Sequence, residues 1–245
     1  MQYNEPSLIQ KNLSGEYAFD IRALLQFAHQ TTIRNWLPIL GGATIALVLL
    51  MVFAMILLSV FEVTDPFNVP DHTMMQIEVL ATVFAAPLSV GLLLMGLRTA
   101  AKKSIKPVDV LSYYPRIFSL GLIGLLISLL TSIGLMLLII PGLYLYLATG
   151  FVLPLMAEKH MRPIAAIQLS VQMVNRYISQ FIILFGVMLL SLLVSVLSFG
   201  ILLLYFVPFF YVLKGKIYMD LFGYGEISDP IDEIEEHKDD ETFMA

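Results

Sequence analysis

The sequence predicts an all-α, polytopic membrane protein: six transmembrane helices in three hairpins, each preceded by an amphipathic helix lying in the interface. Three observations predict it. Of 245 residues, 58% are apolar and 13% charged, against roughly 45–50% and 25% in soluble domains. The apolar residues gather in runs near or above the roughly 20 residues that cross a bilayer. All 14 basic residues fall on one side of the resulting weave, and Lys and Arg concentrate in cytoplasmic loops.

Residues 1–14 read as an N-terminal cytoplasmic tail, and residues 15–222 as one six-span membrane domain. The first span is 36–61, an anchor too long for a cleaved leader, and the second is about 73–97. The third, about 117–140, meets a break at Pro141-Gly142, a hairpin turn from which a fourth runs to about 157. The fifth is about 178–198. Phe199-Gly200 marks another turn, and the sixth runs from about 201 to the region of Lys214. Glycine and proline punctuate apolar runs too long for one crossing. Four spans, with each long run bent or tilted, is the competing count.

Charge placement favours six. Lys11, Arg22 and Arg34 precede the first span, and Arg98, Lys102, Lys103, Lys106 and Arg116 lie between the second and third. Lys159, Arg162 and Arg176 lie between the fourth and fifth, and Lys214, Lys216 and Lys238 follow the sixth. The opposite loop carries Glu62, Asp65, Asp71 and His72 and no Lys or Arg. Both termini are therefore expected in the cytoplasm. Residues 226–241 hold nine of the 19 acidic residues and one basic one, a local charge of −8, which leaves +3 for residues 1–225. Residues 226–245 read as an acidic, mobile cytoplasmic tail.

The cytoplasmic segments share a plan: an amphipathic stretch, then an arginine, an aromatic and an apolar run. Arg34 and Trp36, Arg116 and Phe118, and Arg176 and Tyr177 end the three stretches. Arg34, Trp36, Arg116, Arg176 and Tyr177 are the expected anchors at headgroup level. Pro107 and Pro163 suit a first helical position, where a missing N–H costs nothing. The second span of each pair carries a proline, Pro87, Pro154 or Pro208, expected to kink it. The chain thus divides into units of about 15–97, 104–157 and 160–222, related by an axis along the membrane normal. A central pathway between units and a duplication kept for packing both fit this pattern.

Glu78 is the one carboxylate inside a span, and so a possible functional group. It also lies shallow enough to be a solvated interfacial carboxylate. Gly121, Gly124, Ser128 and Ser132 form one stripe, and Ser191, Ser195 and Ser198 another. Such stripes suit close helix packing, or less simply a polar conduit. The four histidines have no metal-ligand spacing, there is no cysteine, and no nucleophile stands with its base. No catalytic residue, metal or cofactor is expected, and the chain does not read as an enzyme. The expected partners are the bilayer itself and anionic lipid headgroups at the basic loops. No nucleic acid is expected.

Residues 132–180 contain IGLMLLIIPGLYLYL, then VLPLMAEKHMRP, then AAIQLSVQMVNR. Through Ile140, Pro141, Gly142, Pro154, Ala166, Ile167, Ser170 and Arg176 this stretch resembles the YciC-type uncharacterised integral membrane proteins of bacterial inner membranes. The resemblance implies a multi-pass bacterial inner-membrane protein, and brings no catalytic residues with it. Three two-span units are also similar in plan to mitochondrial carriers, but the motif P-x-[DE]-x-x-[KR] of that family is absent here. The leading expectation is a non-enzymatic membrane protein of lipid or envelope homeostasis, or a component of a membrane complex. The alternative is a small transporter or channel for a neutral or lipid-like solute.

Because the chain has no native thiol, single cysteines report topology without background. Lys102→Cys and Arg162→Cys are expected to resist a membrane-impermeant thiol reagent in intact cells, and Asp71→Cys to react. Labelling of either of the first two variants from outside would invert or break the weave.

Overall fold

The computed structural model describes residues 8–63, 65 and 68–225; the acidic tail expected at 226–245 lies outside them. Among the described residues every regular element is helical. In chain order they are α1 (Leu8–Ser14), α2 (Ile21–Val60), α3 (Asp71–Ala100), two short 3₁₀ helices (Pro107–Leu111 and Tyr114–Arg116), α4 (Ile117–Leu137) and α5 (Ile139–Ala148). They continue as α6 (Val152–Glu158), α7 (Pro163–Arg176), α8 (Ile178–Leu197) and α9 (Leu203–Phe222). Five stretches are long and apolar enough to cross a membrane: 21–60, 71–100, 107–137, 139–158 and 178–197. This is compatible with a multi-pass membrane protein. The sixth expected span falls in α9, which stands outside that set because no 18-residue stretch of it avoids Lys214, Lys216 and Asp220.

α3 and α9 pack together at the centre, with α2 against both and α4 against α3. Glycine makes the central crossing. A Cβ at Gly96 of α3 would collide with the backbone carbonyl of Tyr211, and one at Gly215 of α9 with the backbone of Gly96 and Leu97. Small residues let helix backbones touch where apolar surroundings supply no hydrophobic drive. This contact, with buried Leu93, Leu97, Val212 and Tyr218 around it, fills the line along which a central pathway would run.

The three junctions between a cytoplasmic-type segment and the following long helix share one backbone conformation. Asn35 has φ −135° and ψ 27°, Arg116 −104° and 21°, Tyr177 −120° and 30°. Each interrupts the helical ladder and re-aims the chain. The three preceding segments differ, however. In the first unit the segment is the N-terminal part of α2, capped by Asp20, whose carboxylate accepts from the Ala23 N–H at 3.1 Å. In the second it is a pair of 3₁₀ turns rather than an α-helix, and in the third it is α7. Pro107 and Pro115, close together in the chain, leave the middle segment too short for a regular helix.

Five prolines in the apolar helices fall into two kinds. Pro38, Pro141 and Pro154 each occupy the third position after a break, at Asn35, Leu138 and Phe151. The first four N–H groups of a helix have no intrahelical partner, so these prolines forfeit nothing. The hairpin turn expected at Pro141-Gly142 therefore lies three residues earlier, at Leu138, whose φ −158° and ψ 144° are extended. Gly142 instead lets α5 pack onto Leu135 and Gly134 of α4. Likewise the chain breaks at 149–151 ahead of Pro154, while Pro87 and Pro208 ride inside the continuous helices α3 and α9. The turn expected at Phe199-Gly200 is found there, with φ 53° and 82°.

The expected tail at 1–14 contains α1, which is docked rather than free. The Asn12 amide donates to the carbonyls of Asp220 and Leu221 at 2.8 and 3.0 Å, capping the end of α9. Tyr17 donates to the Asp220 carboxylate at 2.8 Å. Burial, then that carboxylate, pushes the Tyr17 phenol well above its usual range, so it stays a donor.

Gly96→Ala and Gly215→Ala are each expected to destabilise the protein by at least about 1–3 kcal/mol through overpacking. Gly186→Ala, with nothing within 4 Å of its added Cβ, is expected to stay within about 0.5 kcal/mol of wild type. Thermal unfolding of the detergent-solubilised chain measures all three.

Candidate functional site

Two cavities lie between the helices. The first, about 380 Å³, lies between α5, α8 and α9. It exists because α5 stops at Ala148 and the chain breaks at Thr149-Gly150, while α8 packs only lightly on α9. Along α8 the wall is one helical face, Phe181, Leu184, Phe185, Met188, Leu192 and Ser195, the i, i+3, i+4, i+7 pattern. α9 supplies a matching face from Leu203 through Phe206 and Phe210 to Lys214 and Ile217. Tyr146 of α5 meets Phe185 of α8 edge-on, ring centroids 6.2 Å apart.

The lining is apolar with one charge. The Lys214 ammonium stands over the Phe151 ring at 5.6 Å from its centroid, beside the glycine of the α5–α6 break. Among the described residues it makes no hydrogen bond and no ion pair. Among the described residues, the carboxylates Asp220 and Glu158 at this end of the bundle are held elsewhere. Asp220 accepts from Lys216 and Tyr17. Glu158 accepts from the Tyr218 hydroxyl at 2.8 Å and the Gly225 N–H at 3.1 Å, and pairs with Lys159 at 3.6 Å. The volume falls in the usual range for ligand sites, which are mostly apolar with a few placed polar groups.

The second cavity, about 520 Å³, is polar and lies where α3, α6 and α9 all end. Arg98, Lys103 and Arg116 face it with Glu158, His160 and Tyr224. These bases have partners: Arg98 sits 3.7 Å from Asp109, Lys103 lies over the Tyr224 ring, and Arg116 donates to the Ala157 carbonyl at 3.1 Å. Each helix C-terminus adds roughly half a negative charge. Three such ends and Glu158 nearly balance three cations, so this cluster ties helix ends together.

Glu78 is exposed on α3 and lines neither cavity. Arg34 and Trp36, just before and after the Asn35 kink, are both exposed. Arg116 and Arg176 are exposed but give one N–H each to a carbonyl, that of Ala157 and that of Ser14 at 2.6 Å. Tyr177 differs from the expected outward anchor: it is buried, stacked among Tyr17, Phe19 and, through Phe19, Phe181, and donates to the Asn12 carbonyl at 2.8 Å. α1 covers it, which a reading of Tyr177 beside its own arginine could not include. The serine stripe of α8 is spent locally, since Ser191, Ser195 and Ser198 each donate to a carbonyl of their own helix. Gly121 and Gly124 seat α4 against Val83 and Ala86 of α3. Among the described residues no three His, Asp or Glu side chains converge as metal ligands.

No family model, curated protein or solved structure matches this chain.

Proposed function

We propose that this is a non-enzymatic, multi-pass protein of a bacterial inner membrane that holds a lipid-like molecule between its second and third hairpins, in the service of lipid or envelope homeostasis. The observation that carries the reading is the apolar cavity between α5, α8 and α9. A cavity walled by two long apolar helices takes its occupant from the hydrocarbon beside it. Lateral uptake also accommodates transport of a lipid-like solute as a second reading. The filled centre at Gly96 and Gly215 argues against a channel along the bundle axis.

The six-span weave is supported by which ends meet. α1 and Tyr17, ahead of the first span, touch the end of α9 at Asp220. Ser14 touches Arg176, ahead of the fifth, and Arg116, ahead of the third, touches the end of the fourth at Ala157. Entry points of odd spans and exit points of even ones thus gather at one end, together with most of the basic residues, as a cytoplasmic face requires. The resemblance of residues 132–180 to YciC-type proteins supports the bacterial inner membrane. The basic loops at that face are suited to anionic headgroups.

A fatty acid bearing a mid-chain diazirine, photolysed with the protein in nanodiscs, is expected to label peptides of α8 and α9 that line the cavity. Met188→Trp, which fills it, is expected to reduce that labelling several-fold, and Leu193→Trp, on α8 but outside the lining, to leave it intact. Label spread evenly over the apolar exterior, and unchanged by Met188→Trp, would remove the basis of this reading.

A further inference from the structure

Lys214 is the feature of the first cavity that packing does not explain. Long basic side chains near a membrane boundary normally run their ammonium out to polar surroundings. This one instead stands against the Phe151 ring inside an otherwise apolar wall. Among the described residues, the carboxylates Asp220 and Glu158 at this end are committed to other donors. An ammonium left without an anion in low-dielectric surroundings is costly, and truncated or missing partners are what make buried charges expensive. An aromatic face offsets part of that cost, but it supplies no formal charge.

The cavity is also polarised along its length. From Leu203 to Lys214 the α9 wall extends about 16 Å at 1.5 Å per residue. The cation stands toward the end where Glu158 and Asp220 gather, and the Leu203 end has none. A long apolar slot with one cation toward its cytoplasmic end has the shape and charge of a single-chain amphiphile with an anionic head.

Resting on the reading of this cavity as a lipid site, we infer that its ligand is a single-chain anionic amphiphile whose carboxylate or phosphate head pairs with Lys214 while its acyl chain lies between α8 and α9. A charge-assisted contact of this kind is about twice as strong as a neutral one. The same head chemistry belongs to a free fatty acid and to a lysophospholipid.

The test is native mass spectrometry of the full chain titrated separately with dodecanoate, a dodecyl lysophosphatidate and the uncharged monododecanoylglycerol. The wild type is expected to hold at least one anionic ligand about tenfold or more tightly than the neutral one. Dodecanoate alone being preferred identifies the fatty-acid source, and lysophosphatidate alone the phospholipid one. Lys214→Gln is expected to erase the preference while still binding the neutral ligand. Lys214→Arg is expected to keep it, as is Lys216→Gln, whose ammonium pairs with Asp220 outside the cavity. A preference that survives Lys214→Gln, or a wild type that binds all three alike, overturns the inference and leaves the lipid site standing. Binding of none of the three overturns both.

Discussion

Phe199, Met136 and Phe118 are 98, 91 and 85% exposed, and they are the extreme of an outward apolar surface whose Leu, Ile, Met and Val run over α2, α4 and α8. Surface of this extent is tolerated only against hydrocarbon or another protein. With lipid outside, burying one more leucine between helices gains little, because lipid tails are as apolar as leucine. Cohesion then has to come from contacts that lipid cannot make. The structure is built from these: backbone on backbone where α3 crosses α9, Gly91 of α3 beneath the carbonyl of Val110, and side chains that satisfy helix ends, such as Asn12 on α9 and Arg116 on α6.

The same constraint governs where the chain may break. Free backbone groups are not tolerated facing lipid, so the interruptions coincide with residues that need no partner. Three prolines stand just after breaks, where their missing N–H falls among groups that would be orphaned anyway. Asn35, Arg116 and Tyr177 share one backbone conformation. The side chains beside these junctions differ, since Trp36 is exposed and Tyr177 buried. Among the described residues the segment ahead of α8 is a separate α-helix, α7, and the break that opens the cavity lies between α5 and α6.

Much of this was legible in the sequence. Apolar runs report the long apolar helices directly, since such runs depend on composition over a whole segment. The turn at Phe199-Gly200 and the helix opening at Pro163 follow from local backbone chemistry and are found in place. Features that depend on a distant partner were not legible. α1 is held by the end of α9, at the far end of the chain, and once held it buries Tyr177. The hairpin turn at Leu138 carries no local signal, because leucine is extended there only as the neighbour of a helix start. Lys214 was visible as a charge and read as the end of a span. Its place on the stripe Leu203, Phe206, Phe210, Lys214 and Ile217 was the available clue that it faces inward. What the stripe could not disclose is that Asp220 and Glu158, the described carboxylates at that end, would be engaged by other donors.

The central claim is that the belt lies in hydrocarbon, with the Asn35 kink at its boundary. Trp36, the single tryptophan, stands exposed one residue after that kink and reports its own depth. Fluorescence of the reconstituted chain, quenched by phospholipids brominated at successive acyl positions, measures that depth directly. The account predicts strongest quenching by bromine near the headgroup and weakening toward the chain end. Quenching that is absent at every depth, or greatest at the chain terminus, would contradict it.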